Sequence, residues 1–184
     1  MKFLETSKYT SLKKSTYISL RWIGIIGQLI SINIVYFYFH FNFDFLICNI
    51  IIFIGALSNF YLIFIYKKTQ LSDRSALLFL LIDIFQLGLL IYLTGGIVNP
   101  FVIFLIIPSV FASSNLGLRT NFLIVLATIL IITFLTFYSE ELPEPLNNHF
   151  HVSPYYYYSI PIALVVALVF LNYFAIIFGS EARL

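Results

Sequence analysis

Few residues in this sequence can do chemistry, and most of those lie in apolar surroundings. The stretch Gly95-Gly96-Ile97-Val98-Asn99-Pro100-Phe101 carries no charge and stands between two apolar runs, residues 76–92 and 101–116. Adjacent glycines open left-handed backbone angles and leave their amides uncovered by side chains. Asn99 precedes a proline and is pushed out of the helical region, while Pro100 suits the first turn of a new helix. As a helix each flanking run covers about 25 Å, slightly less than a hydrocarbon core of about 30 Å, so the turn is predicted at or just inside a membrane boundary. Non-helical backbone is tolerated there only where protein or a polar ligand satisfies it. Two readings follow. One is a plain turn between membrane helices. The other is a pocket in which the bare amides of Gly95 and Gly96, the Asn99 side chain and the Phe101 ring, with Pro100 fixing the geometry, hold a flat, lipophilic molecule bearing two carbonyl oxygens. A quinone head group meets that description.

The run before the turn contains Asp83, the one ionisable residue well inside an apolar segment, with Gln86 three residues on and hence on the same helical face. A charged carboxylate at the centre of a bilayer costs about 2.5–3.5 kcal/mol on insertion scales, so Asp83 is expected to be protonated, paired or facing a wet cavity. Its role stays open between a proton-linked or signal-relaying site and a hydrogen-bonded acid that orients the bundle. Gln28, in the first apolar run, needs a partner from a neighbouring helix. His149 and His151 have a spacing that can ligate a metal, but no firm third ligand stands nearby and no metal site is assigned. The lone Cys48 allows no disulfide within one chain and reads as a buried thiol.

The elements that must position these groups are membrane helices. Of 184 residues, 61% are hydrophobic, 19% aromatic and only 10% charged, where a soluble domain carries roughly a quarter charged residues. The apolar runs lack the alternation of an outer-membrane barrel. They predict an all-α membrane protein, a polytopic bundle of six transmembrane helices near residues 22–39, 45–66, 76–93, 101–116, 122–138 and 160–178. The net charge of +2 says little, but its distribution is one-sided. All ten Lys and Arg residues fall in alternate polar segments, before the first run, after the second, after the fourth and after the last. By the positive-inside rule both termini are cytoplasmic. Residues 1–21 then form a cytoplasmic N-terminal segment, 22–178 the six-helix domain, and 179–184 the start of a cytoplasmic linker. Within the bundle, Ser72 or Asp73 is expected to cap the third span, Pro108 to kink the fourth, and Gly117 to end it in a left-handed cap. Tyr155 to Tyr158 read as an aromatic belt at the outer interface. Ala163, Ala167 and Ala175 form a stripe suited to close packing or a dimer.

Tyr92-Leu93-Thr94 followed by Gly95-Gly96-x-x-Asn99-Pro100-Phe101 resembles the GGxxNPF heptapeptide of the RegB/PrrB-type redox-sensing histidine kinases. Leu20-Arg21-Trp22 with Gly27-Gln28 looks like the start of that family's first membrane span, and Asp83 and Gln86 match its pattern in the span leading to the heptapeptide. The resemblance implies a transmembrane sensor domain of the bacterial inner membrane, working as a homodimer. It implies ubiquinone as the sensed ligand, held at Gly95, Gly96, Asn99, Pro100 and Phe101, with the oxidised form lowering kinase output. In the family the phospho-accepting histidine, the ATP site and a redox-active cysteine lie in a cytoplasmic part after the last span, which addresses a response regulator. This chain stops before such a part and carries no catalytic residues of its own, as a sensor fragment or a truncated member. No nucleic-acid partner is expected. Two rivals come from other classes. A small proton-coupled transporter would use Asp83 but needs further intramembrane polar residues, of which there are few. The other is an accessory membrane subunit of a respiratory complex.

Overall fold

A computed structural model describes residues 12–141 and 153–181, with side chains as far as Phe178. Among them nearly all backbone is helical, as it must be where no water is present to satisfy free amides and carbonyls. Helix α1 spans Lys14–Phe37, α2 Phe45–Phe64 and α3 Asp73–Leu93. A 3-10 turn, Gly96–Val98, and a 3-10 stretch, Pro100–Leu105, lead into α4, Ile106–Asn115. Helices α5, Leu118–Phe137, and α6, Pro154–Glu181, complete the bundle. Five of these are long and apolar enough to cross a membrane, namely α1, α2, α3, α5 and α6. The sixth apolar segment, Pro100–Asn115, is shorter than the others.

Successive helices run antiparallel, which gives the bundle a basic end, with the loop carrying Lys67, Lys68 and Arg74, and an opposite heptapeptide end. At the basic end Leu12–Lys13 (β1) pairs antiparallel with Gln70–Leu71 (β2) in a two-residue ribbon. Leu12 and Leu71 are both buried there. Lys14 donates from Nζ to the Tyr66 carbonyl at 2.6 Å. This tie carries α1 back to Lys14, well ahead of Trp22, where the apolar run starts. Ser72 caps α3 as expected, its Oγ accepting from the Ser75 amide at 3.4 Å, with Asp73 in the favourable first turn.

Gly117 departs from expectation. Its φ of −66° and ψ of 153° are extended rather than left-handed, and it caps the start of α5 instead of the end of α4. Glycine is suited to this place by close approach: its N–H donates to Asp73 Oδ2 at 3.3 Å, and a Cβ would sit 2.7 Å from that oxygen. The fourth segment also differs. Its first six residues wind as a 3-10 helix, and the change to α-helix comes at Ile106, two residues before Pro108. Proline has no N–H to give the Phe104 carbonyl, so the irregularity is taken up on its N-terminal side.

The core runs down α3, α4, α5 and α6, with Leu80, Ile84, Leu105, Ile124, Ile132 and Leu168 almost wholly buried. A smaller apolar cluster joins α1, α2 and α3 around Cys48, which is fully buried as expected. On α6 the inward face is Leu164, Leu168 and Asn172, whereas Ala163 is exposed and Ala167 only partly packed. Tyr155 is 92% exposed at the start of α6, while Tyr157 turns inward and donates to the Thr136 carbonyl at 2.5 Å. His149 and His151 lie outside the described residues.

Candidate functional site

The heptapeptide turn is built by two left-handed glycines and one asparagine. Gly95 has φ 111° and Gly96 φ 58°, angles that side chains resist. Both glycines are buried. Gly96 faces the end of α5, where a Cβ would overlap the Ser139 side chain and come within 3.2 Å of the Leu135 carbonyl. The Glu140 amide bonds to the Tyr92 carbonyl at 3.0 Å and fixes the turn to the segment after α5. Asn99, in extended backbone as the following proline requires, caps the 3-10 stretch: its Oδ1 accepts from the Phe101 amide at 2.9 Å. Its Nδ2 donates to the Thr94 carbonyl at 3.0 Å and to Thr94 Oγ1 at 2.7 Å. The asparagine therefore spends both amide protons and one acceptor site inside the turn.

Between α1, α3 and the Pro100–Asn115 segment lies a cavity of about 770 Å³. Asn99, Pro100 and Phe101 lie on its wall, Phe101 being 41% exposed, and the two glycines do not. Of the five site residues expected from sequence, three are thus brought to the cavity, and two support it from behind. Phe104, Ile107 and Pro108 continue the same wall down the bundle. The 3-10 winding turns Phe101 and Phe104 to one side, because residues three apart eclipse in that helix. Their rings lie 5.8 Å apart.

The opposite wall, from α1 and α3, carries polar groups in two tiers. The first is a buried cluster that sequence reasoning only half found. Asp83 is paired, and its partner is Arg21, whose Nη2 lies 2.7 Å and Nε 2.9 Å from Oδ1. Tyr17 donates to Asp83 Oδ2 at 2.5 Å, and Arg21 Nη2 donates to Ser58 Oγ of α2 at 2.5 Å. The Arg21 side chain is 4% exposed and that of Asp83 20%. The guanidinium also lies against the rings of Tyr17 and Phe79, 5.6 and 5.9 Å from their centroids, the contact a desolvated cation favours. Arg21 heads the apolar run and reads in sequence as an interface residue. The earlier start of α1 places it inside the helix instead. The second tier is Gln28 on α1 and Gln86 on α3, joined by a 3.0 Å bond from Gln86 Nε2 to Gln28 Oε1. This supplies the interhelical partner that Gln28 needs.

A further polar network, absent from the sequence reading, joins α4, α5 and α6 on the far side of α4. The Ser113 hydroxyl faces the Ser109 carbonyl at 3.0 Å, Asn121 Oδ1 at 2.8 Å and Asn172 Oδ1. Asn172 Nδ2 donates to Ser109 Oγ at 2.6 Å and to the Leu168 carbonyl at 2.7 Å. All four side chains are buried. Single polar residues in apolar runs were the available signal; which of them meet depends on packing.

A comparison with known proteins aligns 169 residues, 91% of this chain, at 26% identity with the sensor histidine kinase RegB of Cereibacter sphaeroides. The chain is similar to a RegB-type membrane sensor region. The match covers 37% of RegB, so the chain spans little more than a third of that relative's length. An alignment of this extent takes in the elements that line the cavity. The RegB similarity and the five long apolar helices together describe a multi-pass membrane protein related to a kinase sensor. No protein-family model and no solved structure matches the chain.

Proposed function

We propose that this chain is the transmembrane sensor region of a RegB-type two-component histidine kinase of the bacterial inner membrane. It takes ubiquinone into the cavity between α1, α3 and α4 and relays the redox state of the quinone to a cytoplasmic kinase domain, and so to a response regulator. The observation that carries this reading is the cavity itself. Its volume of about 770 Å³ is within the range of roughly 300–1,000 Å³ typical of small-molecule sites. Its wall is mostly apolar and aromatic, with a few polar groups on one side. Phe101 and Pro100 of the heptapeptide stand on it, where a ring can stack on the first and rest on the second.

The six-crossing topology with both termini cytoplasmic belongs to this proposal. Six residues of 3-10 helix rise about 2.0 Å each and ten of α-helix about 1.5 Å, so the Pro100–Asn115 segment reaches about 27 Å, close to a hydrocarbon core. Quinone and quinol that bind the cavity unequally would bias the packing of α3 and α4. The polar network from α4 would pass that bias to α6, the helix that leads toward the kinase side. A homodimer follows from the two-fold symmetry common to such receptors.

The test is titration of the full chain in nanodiscs with a short-chain ubiquinone, followed by the fluorescence of Trp22. Phe101→Ala is expected to weaken binding about ten-fold, equivalent to about 1.4 kcal/mol. Binding equal to that of the parent chain would leave the heptapeptide as a turn and remove the quinone reading.

A further inference from the structure

We propose that Gln28, rather than the heptapeptide, gives the hydrogen bond to the carbonyl oxygen of the ring bound in this cavity, and that Gln86 orients it. The inference rests on the quinone reading above and assigns the recognition within the same site. A ring carbonyl can only accept, so the site must present a donor that is not already spent. The heptapeptide has little to offer. Both protons of the Asn99 amide go to Thr94, and the buried Gly95 and Gly96 are absent from the cavity wall. The Thr94 hydroxyl donates to the Leu90 carbonyl at 2.7 Å, and the Tyr17 hydroxyl to Asp83. Asp83 itself, with Arg21 and Tyr17 donating to it, is an acceptor.

Gln28 differs from all of these. Its Oε1 accepts from Gln86 Nε2 at 3.0 Å, which commits the oxygen to α3 and leaves Nε2, with two protons, on the other side of the amide. Gln28 is partly buried and lines the cavity. Gln86 is held in turn from behind. Its amide lies over Gly55 of α2, where a Cβ would come within 2.5 Å of Oε1 and 2.6 Å of Nε2. Only a glycine at 55 lets Gln86 lie flat and reach across to Gln28. Other donors on this wall are the Ser31 hydroxyl, one turn along α1, the second proton of Gln86 Nε2, and Arg21 Nη1, which has no partner but is buried with no surface open to the cavity. A helical serine can return its single proton to a carbonyl of its own preceding turn, an option that a glutamine amide with two protons does not exhaust. The result is one aromatic wall that shapes the ring and one amide that reads its oxygen.

The experiment uses the full chain in nanodiscs and a short-chain ubiquinone labelled isotopically at its carbonyls, with affinity measured by titration and the carbonyl stretch by difference infrared spectroscopy. Gln28→Met is expected to weaken binding about three- to ten-fold, the effect of one lost hydrogen bond, and to return the bound carbonyl band toward its frequency in an apolar solvent. Ser31→Ala should change neither. Gly55→Ala displaces Gln86 from outside the cavity and should broaden the band with a smaller loss of affinity. If Gln28→Met binds as tightly as the parent with an unmoved band while Phe101→Ala still weakens binding, the inference is overturned and the quinone site stands. If the parent chain binds no quinone, the site reading fails and this inference falls with it. Should Gln28→Met not fold, the parent chain is compared with a ring of the same shape lacking both carbonyl oxygens, and equal affinity for the two overturns the inference.

Discussion

A guanidinium among apolar helices needs a carboxylate, and Arg21 has Asp83 at 2.7 Å and Ser58 beside it, with Tyr17 donating to the same carboxylate, while its Nη1 is buried without a partner. Removing one member of such a pair strands the other charge in a medium that cannot solvate it, whereas removing both strands neither. Arg21→Met or Asp83→Leu alone is therefore expected to cost about 3–5 kcal/mol, and the double variant clearly less than their sum. Unfolding in graded mixtures of mild and denaturing detergent measures all four corners of that cycle; strict additivity would remove the pair as a coupled unit. At this scale the sequence was informative wherever a polar side chain stood inside an apolar run. Asp83, Gln86 and Gln28 declared themselves that way, because an amide or acid in lipid must have a partner. Arg21 did not, since its position at the head of the run is also where an ordinary interfacial arginine sits. Asn99 was legible as a turn residue, but whether its amide faced a ligand or its own backbone depended on Thr94, five residues away.

Helix α4 is short and takes its place from its neighbours, and the Ser109–Ser113–Asn121–Asn172 network is what fastens it to α5 and α6. Asn172 does more there than Ser113, because its amide donates across to Ser109 as well as accepting from Ser113. Asn172→Leu removes the donor to the buried Ser109 hydroxyl and one acceptor of Ser113, and should destabilise the chain by about 1–3 kcal/mol. Ser113→Ala should cost closer to the roughly 0.6 kcal/mol average of hydrogen bonds between membrane helices. Thermal unfolding in detergent ranks the two; a reversed order would mean that α6 is held by its leucines alone. The existence of six apolar helices could be read from run lengths. Where each starts and how the fourth is wound could not, because those features follow from contacts made elsewhere: the ribbon that carries α1 back to Lys14, the carboxylate of Asp73 that fixes Gly117, and Pro108, which disfavours regular α-helix on its N-terminal side.

Seen across the whole molecule, the basic side chains of the described residues, apart from the buried Arg21, gather at one end, and the heptapeptide and the aromatic-rich link between α1 and α2 lie at the other. That asymmetry makes the orientation testable. In a Cys48→Ala background, a single cysteine at Lys68 should be protected from a membrane-impermeant thiol reagent in intact cells, and one at Phe39 should react; the reverse pattern would invert the assignment. One feature of the fourth segment gives this arrangement a mechanical side. The six residues of Pro100–Leu105 wind at about 120° per residue where an α-helix winds at about 100°, and rise about 2.0 Å where it rises about 1.5 Å. Rewinding them to α-helix would shorten the wall of the cavity by about 3 Å and turn its upper end through about 120° relative to its lower end. The segment is in effect a thread cut at a coarser pitch than the helix below it. A ring bound as proposed and pressing on Phe101 and Phe104 would act along that thread, and a small axial push at the mouth of the cavity would become torque at Ser109 and Ser113, where α6 is attached.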